Sequence, residues 1–172
     1  MQPTKAQQRI FVGLGGNLGN TRAVFRRALH ELTRILKVPP SALSSWYRSE
    51  AWGGQTPTPF VNAVVEYGTT LDPHHLLDVL CSVEYTLGRR RAVEKRWADR
   101  VVDLDLLAVG SREVRRPGLQ VPHPRLADRR FVLLPWAEIA PDFVLPNCQM
   151  SVAGLLKICS DKGKVTRVEE NL

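Results

Sequence analysis

Two periods of apolar and polar positions run along this chain. Residues 10–13 form a short apolar run led by β-branched and aromatic side chains, which predicts a buried strand. The run enters the turn Gly15-Gly16-Asn17-Leu18-Gly19-Asn20. Asn20 or Thr21 can cap a helix there, with Phe25, Leu29, Leu32 and Leu36 as its apolar stripe, and Pro39-Pro40 ends it. Residues 43–49 predict a second strand on weaker alternation, and residues 60–70 a third. A Gly- and Pro-rich loop separates them. Asp72 and Pro73 open a second helix, whose stripe is Leu76, Leu77, Leu80, Val83 and Leu87, and Gly88 closes it. Residues 101–109 predict the best strand of the chain. Pro122 and Pro124 enforce an extended stretch, residues 131–139 form an apolar run interrupted by Pro135, and Ser151 can cap a last short helix. The order strand, helix, strand, strand, helix, strand predicts an α+β fold with a ferredoxin-like β-α-β-β-α-β core. Its sheet is expected to be antiparallel with helices on one face. C-terminal additions, loops or a ligand then take the other face.

Composition narrows the class. The chain has 172 residues, 44% of them hydrophobic, which fits one domain over residues 1–172 and excludes disorder as its main state. No apolar run is long enough for a transmembrane helix, and the polar first nine residues have no signal-peptide character. Cys81, Cys148 and Cys159 are widely spaced and odd in number, so free thiols in a reducing, cytoplasmic setting are expected. A formal charge of +7 suits an anionic partner or simply solubility.

The strand at 101–109 carries the sharpest chemistry. Side chains alternate faces along a strand, so Asp103 and Asp105 point away from Val102, Leu104 and Leu106, roughly 6–7 Å apart. Two adjacent carboxylates need compensation. Magnesium, which takes oxygen ligands from carboxylates and substrate phosphates, can supply it; so can ion pairs with Arg100 or Arg129. The segment from Arg89 to Arg100 leads into that strand with six positive and two negative side chains. It can grip phosphate oxygens, or be a solvated loop, or bind nucleic acid with Trp97 stacked on a base. His123 is held between two prolines, and Asn62 interrupts an apolar strand; each has a structural reading as well as a ligand-binding one. The glycine turn is neither a Walker A loop nor GxGxxG, and His74 and His75 stand too far from Cys81 to activate it.

Taken together these segments resemble the 6-hydroxymethyl-7,8-dihydropterin pyrophosphokinase family of folate biosynthesis. Gly15-Gly16-Asn17-Leu18-Gly19 is similar to its opening turn, and Ser45-Trp46-Tyr47-Arg48-Ser49-Glu50 to its second strand and mobile loop. Phe60-Val61-Asn62-Ala63, Arg96-Trp97, Arg100, Val102-Asp103-Leu104-Asp105, Val121-Pro122-His123-Pro124-Arg125 and residues 129–141 follow in order, so the likeness spans about residues 10–150. Gly16 stands where the family usually has serine, Ala98 where it usually has glycine, and the basic loop is one residue longer.

The resemblance implies transfer of the β,γ-pyrophosphoryl group of ATP to the pterin hydroxymethyl oxygen, with AMP leaving. It implies that Asp103 and Asp105 hold two magnesium ions, that Arg89, Arg91 and Arg100 clamp the triphosphate, and that Glu84, Trp97, His123 and Arg129 serve the nucleotide. Phe60 and Phe131 would sandwich the pterin, and Asn62 would read its edge beside the backbone of Ser49 and Trp52. The loops at 48–59 and 88–99 would close over the substrates. The partners expected are ATP and the pterin, acting on a monomer, with no nucleic acid and no membrane. Two other readings share part of the pattern: a small RNA-binding domain, and a metal-dependent nucleotidyl or phosphoryl transferase with a different acceptor.

Overall fold

The computed structural model describes residues 6–51, 56–90 and 99–168. In chain order the strands are β1 (Gln8–Gly16), β2 (Ala42–Leu43), β3 (Tyr47–Ser49), β4 (Phe60–Thr69), β5 (Asp103–Val109), β6 (Val114–Arg116), β7 (Leu119–Val121), β8 (Val144–Leu145), β9 (Met150–Ser151) and β10 (Val165–Arg167). The helices are α1 (Thr21–Leu36), α2 (Pro73–Thr86), α3 (Arg130–Ile139) and α4 (Val152–Ile158). The fold is mixed α/β around one antiparallel sheet of order β10-β3-β4-β1-β5, with β2 also paired to β4. No helix among the described residues is long and apolar enough to cross a membrane.

Local chemistry sets the helix ends. The Asn20 side chain accepts from Ala23 N and caps α1, worth about 1 kcal/mol. Asp72 accepts from the N–H groups of His74 and His75 and caps α2 before Pro73. Ser151 does the same for α4 through Gly154 N. Gly88, at φ +100°, leaves α2 through the left-handed region that a side chain rarely adopts.

The sheet buries both faces, against different partners. Ile10, Val12 and Leu14 of β1 face Phe25, Ala28 and Leu32 of α1 and Leu76, Leu80 and Val83 of α2. Each such side chain, taken wholly out of water, contributes about 1.5–3 kcal/mol. Phe11, Val64 and Leu107 face the other way, onto Leu133 and Trp136 of α3 and Leu155 of α4. Beyond Phe11 the central strand carries Gly13 and Gly15 on that face, and a cavity opens over them among the described residues.

Several elements differ from the sequence expectation. The strand expected at 43–49 is broken into β2 and β3, with Ser44 between them donating its hydroxyl to Ser45 O and accepting from Val64 N. The β6–β7 hairpin and the edge strand β10 were absent from the pattern, because β6 and β10 are short, polar and exposed. Pro135 sits inside α3 rather than ending it. Trp136 and Leu133 are wholly buried on that helix, and their burial outweighs one lost backbone hydrogen bond.

Candidate active site

Sheet register assembles the site. Asn62 of β4 pairs with Gly15 of β1, and Gly15 pairs with Asp103 of β5. These three form one row on the bare half of the sheet. The next row is Val64, Gly13 and Asp105. Asn62 and Asp103 therefore stand two strand spacings apart, about 10 Å, with only Gly15 of the described residues between them in that row. A Cβ built on Gly15 would lie 3.6 Å from Asn62 Oδ1 and 4.0 Å from the Asp103 Cβ. Glycine at i and i+2 of a strand leaves one face empty, and this period-2 signal is visible in the sequence.

Walls rise around that floor. Ser49, Phe60, Arg100, Arg129 and Phe131 line the cavity, together with both aspartates. Glu50 and Ala51 line it too, which the sequence reading did not single out. The guanidiniums are paired symmetrically. Arg100 donates to Asp103 at 2.6 Å and lies over the Phe60 ring; Arg129 donates to Asp105 at 3.2 Å and lies over Phe131. The ion pairs with arginine, one of the two compensations open to the carboxylates, are both formed.

Arg89 completes the Asp103 environment. Its guanidinium bonds Asp103 and also Glu84, at 2.7 Å. Glu84 is 1% exposed and accepts from Leu104 N at 2.7 Å as well. It lies behind Arg89, away from the cavity surface, and joins the end of α2 to the start of β5. Arg90 turns aside, stacking on Tyr85 and donating to its carbonyl, so neighbouring arginines have separate tasks. Burial pushes the Asp103 carboxyl up, but Arg89 and Arg100 outweigh it and hold the group below the ordinary carboxylate range. Arg91, Trp97 and Trp52 lie outside the described residues.

Asn17 fixes the end of the basic segment. Its Oδ1 accepts from Arg100 N at 2.8 Å, and its Nδ2 donates to Asp99 at 2.6 Å. The N–H groups of Asn17 and Leu18 both donate to Arg100 O. The chain passes so closely that a Cβ on Gly16 would stand 2.6 Å from Val101 O. A side chain at position 16 would have to move that carbonyl, so glycine suits this approach.

A second cleft, of about 650 Å³, opens beside the first. Leu77, Leu106 and Leu119 make its apolar wall, the β6–β7 hairpin brings Arg115 and Arg116, and His123 and Asp105 close one end. Asp105 borders both cavities. His123 accepts from Arg125 N through Nδ1 at 3.2 Å, which leaves the ring proton on Nε2. Burial lowers its pKa to about 4, with Arg129 and Arg125 adding to the shift and Asp103 opposing it. The unfolded chain binds that proton near pH 6.5 and the folded chain does not. Stability present above pH 6.5 is therefore lost as pH falls toward 4, by up to about 3 kcal/mol. Urea midpoints measured from pH 7 to 4.5 should fall less steeply in His123→Gln than in the wild type; equal slopes would contradict this burial.

A carboxylate strand flanked by arginines and bordered by two cavities has the chemistry to hold an anionic, metal-bound group beside a second ligand. Residues 11–141 match the sequence model of the 7,8-dihydro-6-hydroxymethylpterin-pyrophosphokinase (HPPK) family, and the chain belongs to that family. Among its relatives, the 2-amino-4-hydroxy-6-hydroxymethyldihydropteridine pyrophosphokinase of Methylorubrum extorquens is 42% identical over 137 residues, covering 80% of this chain and 85% of the relative. The enzymes of the same name from Synechocystis and Pseudomonas aeruginosa are each 38% identical, over 85% and 91% of this chain and 73% and 94% of theirs. Wild-type Plasmodium falciparum HPPK-DHPS has a similar fold, with a TM-score of 0.67 at 12% identity over 91% of this chain. This chain spans 45% of that longer one.

Proposed function

We propose that this chain transfers the β,γ-pyrophosphoryl group of ATP to the hydroxymethyl oxygen of 6-hydroxymethyl-7,8-dihydropterin, releasing AMP, as a step of folate biosynthesis. The observation that carries the reading is the meeting of the two cavities at Asp105. The slot between Phe60 and Phe131, floored by bare strand, suits a flat heterocycle whose edge Asn62 can pair. The larger cleft suits the nucleoside end of ATP. The phosphates then run between them, past Asp105 and Asp103. The new bond joins the hydroxymethyl oxygen to the β-phosphorus. The bond from that phosphorus to the oxygen bridging the α-phosphate breaks, and AMP departs with it.

The donor set suits magnesium. Asp103 and Asp105 offer hard oxygen ligands on one face, and no cluster of three or more His, Cys, Asp or Glu side chains among the described residues makes a closed cage. Such a site fits cations that complete their shell with water and substrate phosphates, and two ions are proposed here. Bound magnesium would neutralise phosphate charge and polarise the attacking hydroxyl. Arg89, Arg100 and Arg129, paired with these carboxylates, are placed to turn to phosphate oxygens. His123 presents a neutral Nε2–H donor, and Glu84 acts through Arg89. Arg91 and Trp97 keep the nucleotide-side roles, and Ser49 and Trp52 the pterin-side roles, that the resemblance gives them. Positioning and electrostatics carry most of such a transfer.

Product analysis tests the reading. With ATP, magnesium and the pterin, AMP and a pterin diphosphate should form in equal amounts, as separated by ion-exchange chromatography. ADP formed with a pterin monophosphate would keep the pocket and overturn the pyrophosphoryl step.

The same proposal covers organisation. The order β3-β4-β1-β5 with α1 and α2 on one face supports a ferredoxin-like core. Pairing of β10 with β3 supports a single unit over residues 1–172. Among the described residues the exposed large hydrophobics Leu18, Leu43, Tyr85, Val144 and Ile158 lie in separate segments, which supports a monomer.

A further inference from the structure

We infer that the Ser49 side chain is a positioning residue for Asn62: its hydroxyl fixes which way the Asn62 amide faces, and so which hydrogen-bond pattern the acceptor slot presents. The inference rests on the pterin reading of that slot and adds to it a residue whose hydroxyl sets specificity through a neighbour.

An asparagine amide has two nearly isosteric orientations with opposite chemistry. One offers an acceptor to the cavity, the other a donor pair. Asn62 is 4% exposed, and its Nδ2 donates to Ser49 Oγ at 2.9 Å. Ser49 is 5% exposed, diagonal to Asn62 across the β3–β4 ladder: Tyr47 pairs with Asn62, and Ser49 with Phe60. With Nδ2 taken, Oδ1 turns toward the empty space over Gly15, where a built Cβ would find it 3.6 Å away. The serine oxygen accepts that bond and so decides which end of the amide reaches the cavity. The slot therefore shows an acceptor over Gly15. A ligand edge that brings an N–H donor there, as a cyclic amide or aminopyrimidinone does, matches it. An edge that brings an acceptor there leaves buried groups unpaired.

Ser49 is itself held from behind. It ends a three-residue strand whose outer edge is paired by β10, with Val165 opposite Ser49, and Val168 N bonds Trp46 O. The C-terminal strand thus keeps β3 in register and the hydroxyl aimed at Asn62.

The test is a double-mutant cycle on the full chain with Ser49→Ala, Ser49→Thr and Asn62→Ala. Ser49→Ala should raise KM for the pterin about five- to tenfold and leave KM for ATP unchanged, and Ser49→Thr should restore it, since threonine keeps the hydroxyl. In the Asn62→Ala background, Ser49→Ala should add nothing further. Additive losses would show that Ser49 acts on the ligand directly and would overturn the inference; so would a pterin KM unaltered in Ser49→Ala. The Asn62 side-chain amide resonances in 15N NMR of the ligand-free protein give an independent readout. Ser49→Ala should shift them and speed their exchange, and unchanged resonances would overturn the inference. Failure of the pterin reading shows separately, as absent pterin turnover in the wild type while the amide shift persists.

Discussion

Asp103→Asn should reduce kcat about 10³-fold or more while leaving pterin affinity within a few-fold of the wild type. Asparagine keeps the size and one oxygen of the side chain, so the packing around β5 is retained. What it loses is the charge. The Asp103 carboxylate is the group on which Arg89 and Arg100 converge, and it is kept ionised by them. It is also one of two carboxylates available to a divalent cation on that face. Removing the charge weakens metal-dependent binding of the triphosphate and frees Arg100 from its anchor, whereas Arg89 still has Glu84. The loss should thus fall on the chemical step and on magnesium-dependent ATP binding. Steady-state kinetics with magnesium varied, set beside a pterin titration, separates these. Turnover near the wild-type rate would remove Asp103 from the site, and an equal loss of pterin binding would mean that the fold had been disturbed instead.

How much of this was legible in the sequence follows from where the information sits. Asp103 and Asp105 could be placed on one face because strand alternation is strict and both neighbours, Leu104 and Leu106, are strongly apolar. Their pairing with Arg100 and Arg129 was foreseeable as one of two options. The link from Arg89 to Glu84 was not read, although a signal existed: Glu84 stands four residues after Leu80 on the buried stripe of α2, where a carboxylate needs partners. In the sequence the glycines at 13 and 15 read only as strand and turn residues, because only the register with Asn62 and Asp103 makes them a floor. Cleft residues Arg115 and Arg116 depend on a hairpin whose one strong signal is Pro117-Gly118. Strand β10 is the least legible element. Its residues Thr166 and Arg167 are exposed, and it is a strand only because β3 offers an open edge.

Gly15→Val should abolish use of the pterin, with kcat/KM down at least about 100-fold, and leave ATP binding and the fold largely intact. The argument starts from backbone freedom. Gly15 lies near the end of β1, paired on both sides, and does not use the left-handed region, so a β-branched residue suits its conformation. Nor does the added Cβ clash, since its nearest neighbours are at 3.6 and 4.0 Å. The two γ-methyls have one direction open to them, into the gap between Asn62 and Asp103. A flat ligand paired with Asn62 must occupy that gap to bring its hydroxymethyl group toward the carboxylates. A filled gap excludes it sterically, and no compensating movement of Asn62 is easy while Ser49 holds the amide. The second cleft is shaped by α2, β5 and the β6–β7 hairpin, none of which Gly15 supports through a side chain. Calorimetric titration with pterin and with ATP, on a variant whose thermal midpoint has been checked, reads both arms. Retained pterin affinity would mean that the ligand does not lie over Gly15, and the row Asn62–Gly15–Asp103 would lose its role as the floor of the acceptor site.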